Sequence, residues 1–352
     1  MRIIAALVLP PPTTGMTIVS SWMMDRLSSS CDLIKVDVSR RPGDSRARWI
    51  ARKHAGLTLS ALRGPNSASG PTYVYFTPDS RWGLIGSCLV VLSARARRRK
   101  LIAHHHVWSY FRSRTVLSRL FFAIIGRDAV HVVLCESMRE RCNFLYPART
   151  TVVLSNRRLM QSAVPINEEP SARRPAGAPI ERIGMLGNLT VEKGVGLAIA
   201  LLSQLHDSGR IVHLVLAGPI DAEARLMVDR AIDAGLEIQV VGSVYSFEKG
   251  RFLRSLDVLV FPSIYVNEAD PLVVWESLAE GTPVLATRRG CLQADTPGMR
   301  VFPEESFVTE AFKAISRGKL PEVVAGQSID DPDGEDEMLQ LFAALGAVSD
   351  GQ

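Results

Sequence analysis

Short apolar runs alternate with longer segments of helical spacing along most of the chain. In the first half, RIIAALVL, TYVYF and AVHVVLC are largely apolar and rich in β-branched or aromatic side chains. Such runs are typical of buried parallel strands. The segments between them, Met16–Ser28 and Val116–Ile125 among them, have helical spacing. The pattern predicts an α/β structure with a mostly parallel sheet.

This alternation of apolar runs and helical segments is interrupted once and then resumes. Residues 156–179 are rich in Pro, Ala and charged side chains and lack apolar periodicity, which is typical of a linker. The runs ERIGMLGNL, VHLVLAG and DVLVFPS then alternate with helical segments. A chain of 352 residues is long enough for two domains. We therefore expect two Rossmann-like α/β/α domains, residues 1–165 and 181–325, joined by a linker at 166–180.

The end of the chain combines an acidic run with an apolar helical pattern. IDDPDGEDE is followed by MLQLFAALGAV, whose apolar residues recur at helical spacing. An acidic run is typically solvated, and an apolar helical face needs a partner. Residues 326–352 are therefore expected to form an acidic tail and a closing helix that packs back on the protein.

Missing motifs exclude several enzyme classes. The first strand runs into PPPTTGMT, which has one glycine, Gly15, instead of the GxGxxG of a dinucleotide site. The sequence also lacks GxxxxGK[ST], HExxH and GxSxG, which argues against Walker ATPases, zincins and serine hydrolases. The five cysteines are scattered without a CxxC pair, so no zinc site is predicted and a reducing cytoplasm is the expected compartment.

The charge differs sharply between the two halves. Residues 1–175 hold 27 Lys and Arg against 10 Asp and Glu, whereas the rest of the chain holds 14 against 26. Such asymmetry indicates that one half faces an anionic partner, which could be nucleic acid, anionic lipid or a phosphate-bearing substrate. An overall bias towards arginine is the alternative explanation.

The most informative stretch is FPSIYVNEADPLVVWESLAEGTPVLAT, residues 261–287. Glu268 and Glu276 are separated by seven residues. The strand before them ends at Pro262, and a helix is predicted from about Pro271 to Glu280. Ligands of open α/β sheets bind at the carboxyl ends of strands, and helix-start amides favour a phosphate there. Two carboxylates at this edge fit a sugar-nucleotide site, with two solvated glutamates as the alternative.

This stretch resembles family 4 of the glycosyltransferases (GT4), a retaining group 1 family with the GT-B fold. The glutamate pair and the following Ala279–Val284, which matches A-x-G-T-P-V, carry the resemblance. It implies that Glu268 contacts hydroxyls of the donor sugar and that Glu276 contacts ribose hydroxyls.

A second motif, GNLTVEKG, resembles the family's G-R-L-x-x-E-K-G, whose Arg and Lys hold the nucleotide diphosphate. Lys193 matches, and Asn188 replaces the Arg with a neutral amide donor. Pro271 also departs from the family pattern, which often has Gly there. Because proline has no N–H, the amides of Leu272 and Val273 would hold the phosphate instead.

The first half contributes further positions by resemblance. LIAHHHVWSYF ends a strand where the family has a histidine facing the reaction centre; the resemblance favours His106, with His105 second. Strand alternation puts His104 and His106 on one face, and a metal cluster or a structural cluster are the alternatives. The loop after the first strand, with Gly15 and Met16, resembles an acceptor or phosphate loop. Val244 in GSVY matches the position that holds the nucleotide base.

The resemblance implies a retaining, metal-independent glycosyltransferase without a cofactor. The donor would be a nucleotide-diphosphate sugar, and the acceptor a lipid-linked or polysaccharide precursor of the cell envelope. A GT-B sugar-nucleotide epimerase, or an inactive paralogue that binds nucleotide sugars, is the alternative.

The basic half is expected to meet a membrane. Arg95–Lys100 and Trp108–Arg127 mix basic with apolar residues, a composition typical of surfaces that contact anionic headgroups. We expect a cytoplasmic protein that is peripheral at the inner face of the plasma membrane, with Phe111, Phe121 and Phe122 as inserting residues. A solvated basic face is the alternative, and nucleic acid is disfavoured because no RNA- or DNA-binding motif is visible.

Overall fold

The chain divides into two units, each built on its own parallel sheet. The computed structural model describes residues 1–10, 14–63, 65–68, 70–147, 150–163, 178–323 and 334–346. The N-terminal unit comprises residues 1–165 and 330–352, and the C-terminal unit comprises residues 166–329. The predicted linker, residues 166–180, lies outside the described residues except for its last three. The predicted α/β class with two sheets is confirmed.

The N-terminal unit has a six-stranded sheet in the order β2-β1-β3-β4-β5-β6, and its named strands pair in parallel. Helices connect the strands, as parallel pairing requires. The strands are β1 (Arg2–Leu7), β2 (Asp32–Asp37), β3 (Thr72–Phe76), β4 (Lys100–His104), β5 (Val130–Val133) and β6 (Thr150–Val153). The helices are α1 (Gly15–Ser28), α2 (Arg46–Arg63), α3 (Gly83–Ala96), α4 (Ser109–Arg112), α5 (Val116–Ile125), α6 (Glu136–Leu145) and α7 (Asn156–Ala163).

The C-terminal unit repeats the architecture in the order β12-β11-β10-β7-β8-β9. The chain builds outward from β7 in one direction and then returns to its other side at β10, so the strand order reverses between β7 and β10. The strands are β7 (Arg182–Leu186), β8 (His213–Ala217), β9 (Ile238–Gly242), β10 (Val258–Phe261), β11 (Val284–Thr287) and β12 (Met299–Phe302). The helices are α8 (Val195–Asp207), α9 (Ala222–Asp233), α10 (Ser246–Arg254), α11 (Leu272–Ala279) and α12 (Phe307–Ser316).

The predicted closing helix, α13 (Gly334–Ala344), packs on the N-terminal unit beside β6. Glu337 forms an ion pair with Arg158 at 2.9 Å and accepts a hydrogen bond from the backbone N–H of Ser155 at 3.0 Å. The Tyr73 hydroxyl donates to the Leu345 carbonyl at 2.9 Å. The last helix therefore belongs to the fold of the first half of the chain.

The largest element that the apolar pattern missed is α2. Only Leu57 and Ala61 are buried among its apolar side chains. A helix with such a narrow buried stripe gives a weak periodic signal. Likewise, Asn156, placed by sequence in the interdomain segment, begins α7.

Two phenylalanines predicted to enter a membrane are core residues instead. Phe111 and Phe121 are both 0% exposed, and Phe121 packs edge-on against Phe76. Arg99 is also buried, and its guanidinium donates to the carbonyl of Ala61 and to Asn66 Oδ1, both at 2.8 Å. The basic segments therefore contribute to the core as well as to the surface. Within the described residues, no helix combines the length and the apolarity needed to cross a bilayer.

Candidate functional site

The reversal of strand order brings two loops of the C-terminal unit together. One loop follows β7 and contains Lys193, and the other follows β10 and contains Glu268. Their side chains meet, with Lys193 Nζ 2.6 Å from Glu268 Oε2. Ligands of doubly wound sheets bind at this crevice, outside the carboxyl ends of the strands where the order reverses. We call the space beside these two loops the donor crevice.

Glu268 is held by two donors on one of its oxygens. Its Oε2 accepts from Lys193 Nζ and, at 2.8 Å, from the hydroxyl of Ser263, which follows β10 directly. Its Oε1 accepts no hydrogen bond from a described residue. Glu268 is 8% exposed, and a buried carboxylate needs such partners. The arrangement fixes the carboxylate and leaves one oxygen to accept a hydrogen bond from a ligand hydroxyl.

Two glycines allow the loop that carries Glu268 to lie close to its neighbours. Gly194 has a φ of 87°, and a Cβ there would lie 2.0 Å from the carbonyl oxygen of Pro262. Gly290 has a φ of 57°, and a Cβ there would lie 2.2 Å from the carbonyl oxygen of Ala269. Neither the conformation nor the space suits a side chain. The glycines therefore let the loop that carries Glu268 lie against its neighbours on both sides.

Glu276 lies on α11 and is poised to accept a further hydrogen bond. Its Oε1 is 2.5 Å from Lys249 Nζ, which lies on α10. Its Oε2 is buried and has no hydrogen-bond partner among the described residues. A buried acceptor without a donor is costly. A ligand hydroxyl would satisfy this oxygen.

The start of α11 offers backbone donors. Pro271 is the N-cap, so the first two helical amides are those of Leu272 and Val273, which have no acceptor within the helix. The indole N–H of Trp275 donates to Asp270 Oδ1 at 2.6 Å, which fixes the turn before the helix. Amides at a helix start favour an anion. Leu272 and Val273, expected from the motif to hold a phosphate, are the first two residues of this helix.

The two remaining donor-site candidates lie at the same edge of the sheet. Asn188 is exposed in the loop after β7, and Val244 is half-buried two residues beyond the end of β9. Ser263 and Lys249 are the functional candidates that the sequence reading missed. The sequence signal for each was weak, because Ser263 is a serine after a strand and Lys249 is a lysine on a largely exposed helix.

The histidine run of the N-terminal unit separates into two environments. The rings of His104 and His106 are 4.0 Å apart on one side of the strand, as alternation predicted. His105 points to the other side, where Nδ1 lies 2.9 Å from the Tyr110 hydroxyl and Nε2 lies 2.9 Å from His131 Nδ1. Both nitrogens of His105 are thus engaged within the protein. His106 is half-buried and makes no hydrogen bond with a described residue.

Burial keeps these imidazoles neutral. Desolvation lowers the pKa of His106 to about 4 and that of His131 to about 4. Burial and the neighbouring histidines also hold the pKa of His104 and His105 well below the ordinary range. At neutral pH the cluster can accept and donate hydrogen bonds without carrying charge.

Other polar groups gather at the carboxyl edge of this sheet. Gly15 and Met16 are the first two residues of α1, which Thr14 caps through its side chain. Lys53 Nζ lies 2.7 Å from Asp79 Oδ1, just beyond β3, a pair that the sequence reading did not identify. Within the described part of the chain, no three His, Cys, Asp or Glu side chains are arranged to hold a metal ion.

Part of the chain is similar to known glycosyltransferases. Residues 180–317 match the family model described as Glycosyl transferases group 1. Over 112 residues the chain is 31% identical to the amylovoran biosynthesis glycosyltransferase AmsK of Erwinia amylovora, covering 30% of this chain and 27% of that protein. Over 125 residues it is 33% identical to the 2-deoxystreptamine glucosyltransferase of Streptomyces kanamyceticus, covering 35% of this chain and 30% of that protein. The chain thus spans less than a third of either relative.

Solved structures are similar over nearly the whole chain. Anabaena Alr3699/HepE in complex with UDP superposes with a TM-score of 0.67 at 16% identity, covering 99% of this chain and 100% of that one. The apo form of the lipopolysaccharide outer core galactosyltransferase WaaB gives 0.66 at 15% identity, covering 99% of each chain. These similarities show the GT-B fold. Lys193, Glu268 and Glu276 all lie within the segment that matches the model of the group 1 glycosyl transferases.

The neutral histidine cluster predicts a stability that depends on pH. Because the pKa of His131 is about 4 in the folded chain and about 6.5 in an unfolded one, the unfolded state binds more protons between these values. Stability is therefore lost as pH falls from about 6.5 towards 4. For His131 alone, the free energy of unfolding should fall by about 2 kcal/mol between pH 7 and 5. Urea unfolding at both pH values measures it.

The matched variants are His131→Asn and His213→Asn. The first removes the buried ring and should reduce the pH dependence of the unfolding free energy. The second changes an exposed histidine on β8 and should leave that dependence as in the wild type. Equal pH dependence in all three proteins would contradict the assignment of a neutral buried His131.

Proposed function

We propose that the chain is a GT4-type retaining glycosyltransferase that uses a nucleotide-diphosphate sugar as donor. The observation that carries the proposal is the donor crevice itself. It combines a fixed Lys193–Glu268 pair at 2.6 Å with a buried Glu276 oxygen that has no partner among the described residues. Lys193, the open oxygen of Glu268 and the unpaired oxygen of Glu276 would match the diphosphate, the sugar and the ribose of such a donor.

Each part of the donor has a complementary group in the crevice. The diphosphate fits Lys193 Nζ, which carries a positive charge. It also fits the amides of Leu272 and Val273, which lie at the positive end of the helix dipole. Ribose hydroxyls fit Glu276 Oε2, and sugar hydroxyls fit Glu268 Oε1. The UDP-and-glucose complex of the similar Alr3699/HepE structure supports this class of donor. Val244, beyond β9, is the proposed contact of the base.

The proposed reaction transfers the sugar to an acceptor hydroxyl. The bond between the anomeric carbon and the diphosphate oxygen breaks, and a bond from that carbon to the acceptor oxygen forms. The proton of the acceptor hydroxyl leaves with the departing phosphate. Lys193 stabilises the negative charge that develops on the diphosphate, which is where electrostatic catalysis is most effective. We propose retention of the anomeric configuration and no requirement for a metal ion.

His106 is the proposed polar contact in the N-terminal unit. Its pKa of about 4 leaves it neutral, so it can exchange hydrogen bonds with a sugar hydroxyl without competing for the phosphate charge. Gly15 and Met16 supply the free amides of α1 for an anionic or polar group of the acceptor. His105 acts through packing, since its ring nitrogens are engaged with Tyr110 and His131.

The proposed acceptor is a lipid-linked or polysaccharide precursor of the cell envelope, reached at a membrane surface. Exposed apolar residues on α3 and α5, two helices in contact with each other, support this. They lie at helical spacing, and exposed arginines at the end of α3 flank them. The apolar residues are Trp82, Ile85, Leu89 and Leu92 beside and on α3, and Val116 and Leu120 on α5. We call this set the apolar face. Apolar side chains flanked by cations match an anionic lipid surface.

The two crevice glutamates should have separable effects. Glu276→Gln should weaken donor binding roughly tenfold, because a charged acceptor for a hydroxyl is lost. Glu268→Gln should chiefly lower kcat, since contacts to the sugar change as the bond breaks while ribose contacts do not. Calorimetry against UDP, GDP, ADP and TDP sugars, followed by kcat and KM with the bound donor, measures both.

Glu310→Gln, which changes a partly exposed glutamate on α12, is the matched control and should behave as wild type. Glycosyl transfer at wild-type rates in both crevice variants would overturn the site assignment. Tight donor binding without transfer or slow donor hydrolysis would instead indicate a non-catalytic nucleotide-sugar-binding protein. Sugar released with a changed stereocentre would indicate an epimerase.

Activity should persist after treatment with EDTA. The proposed positive groups are Lys193 and the helix-start amides, which chelation does not remove. The assay compares donor turnover before and after EDTA, and after addition of magnesium or manganese. Loss of turnover that either ion restores would refute metal independence.

Membrane binding should depend on the apolar face and the arginines beside it. Arg97→Glu/Arg98→Glu should strongly reduce co-sedimentation with vesicles containing phosphatidylglycerol, since each such residue contributes about 1 kcal/mol. Leu89→Ser/Val116→Ser should also reduce binding, and high salt should weaken it through screening. Arg99 is left unchanged because it is buried.

The control is Arg230→Glu/Arg317→Glu, which reverses two exposed arginines of the C-terminal unit. It should sediment like the wild type. Equal sedimentation of all variants, or no binding by the wild type at low salt, would contradict a membrane-bound acceptor. The basic half would then require a soluble anionic acceptor.

A further inference from the structure

A cavity lies within the N-terminal unit, beside α5. It has a volume of about 300 Å³, which is at the small end of small-molecule pockets. Its walls come from α5, the end of α6 and strand β5. The lining residues are Arg114, Arg119, Phe122, Ala123, Gly126, Arg127, His131, Leu145, Tyr146 and Pro147. We call it the arginine cavity.

The charge of the arginine cavity is entirely positive among its described lining residues. Arg114, Arg119 and Arg127 line it, and no Asp or Glu does. None of the three arginines forms an ion pair with a described carboxylate. Arg114 donates to the carbonyl of Phe144 at 3.4 Å and lies 6.0 Å from the Tyr146 ring centre. Three cations beside one cavity, without a compensating carboxylate, favour an anionic ligand.

The floor of the cavity is fixed by ring packing and hydrogen bonds. Phe122 and Tyr146 are stacked at 3.8 Å with an interplanar angle of 6°. The Tyr146 hydroxyl lies 2.7 Å from the Ser118 hydroxyl and 2.8 Å from the Tyr110 carbonyl oxygen. His131, 1% exposed, is held by its bond to His105 at 2.9 Å. A site whose floor is already ordered loses little conformational entropy when it binds.

The cavity is distinct from the edge of the sheet at which reaction is proposed. Gly126 and Arg127 lead into the amino end of β5, and Tyr146 and Pro147 precede β6. His106 and the start of α1 lie instead at the carboxyl ends of their strands, where ligands of parallel sheets usually bind. The donor crevice is in the C-terminal unit. A ligand of the arginine cavity would therefore be separate from the proposed donor.

We propose that the arginine cavity binds a phosphate group attached to a small organic molecule. Guanidinium groups donate two parallel hydrogen bonds to phosphate oxygens. The stacked Phe122 and Tyr146 provide an apolar surface for the attached organic group. The volume accommodates a compact group such as glycerol phosphate. Val116 and Leu120 are exposed on α5 beside Arg119, so the phosphate can come from a lipid headgroup as well as from a free solute.

The test measures binding of glycerol 3-phosphate and inorganic phosphate to the full chain by calorimetry. Arg119→Gln/Arg127→Gln changes two exposed side chains, and its unliganded melting temperature should match the wild type. Its affinity for glycerol 3-phosphate should fall roughly tenfold or more, because charge-assisted hydrogen bonds are lost. Arg230→Gln/Arg317→Gln is the matched control and should bind as the wild type does.

A second variant separates this cavity from the donor crevice. Lys193→Gln should bind glycerol 3-phosphate as the wild type does. If Lys193→Gln lost this binding and Arg119→Gln/Arg127→Gln kept it, the phosphate would lie in the donor crevice and the proposal would be overturned.

Vesicles with phosphatidic acid form the lipid arm of the test. Loss of vesicle binding in the arginine variant, without binding of the soluble compound, identifies a headgroup as the source. Binding of the soluble compound identifies a free solute. Wild-type protein that binds neither, or an arginine variant that binds both as the wild type does, overturns the proposal.

Discussion

The close approach of the loops after β7 and β10 is the constraint on which the donor crevice depends. Gly194 meets the Pro262 carbonyl at a distance that no side chain could tolerate, because a Cβ at this position would lie 2.0 Å from the oxygen. This contact brings Lys193 to Glu268. The reversal of strand order makes the two loops neighbours, and the glycine lets them touch. The sheet topology therefore determines where the crevice lies, and the absence of a side chain at Gly194 lets Lys193 and Glu268 form their ion pair.

The sequence predicted the parts of the site that local patterns encode. Glu268, Glu276 and Lys193 occur in motifs of fixed spacing, and the strand and helix signals around them placed them at one edge of a sheet. Ser263 and Lys249 escaped this reading because their roles are defined only by partners. Ser263 bonds to Glu268, and Lys249 bonds to Glu276 from a separate helix. Tertiary pairing of this kind leaves no periodic trace in a sequence.

In the basic half, the prediction from composition was wrong for two residues: they were expected at a membrane surface but lie in the core. Phe111 and Phe121 lie among arginines in sequence, yet both are fully buried, whereas Val116 and Leu120 on the same stretch are exposed. A helix rotates successive residues by about 100°, so neighbours in sequence face opposite sides. Composition identifies a mixed segment, but only the packing of α5 against α3 decides which apolar residues remain at the surface.

Asn188 and Pro271 change how the proposed phosphate charge is balanced. An arginine at position 188 would add a cation, and an amide at 271 would add a donor; this chain has neither. Lys193 is thus the proposed cation for the diphosphate, and Glu268 holds it through one of its three ammonium donors. Two donors remain for phosphate oxygens. In the proposed reaction, Glu268 orients the lysine with one oxygen and offers the other to the sugar, so that one carboxylate would couple recognition of the sugar to stabilisation of the leaving group.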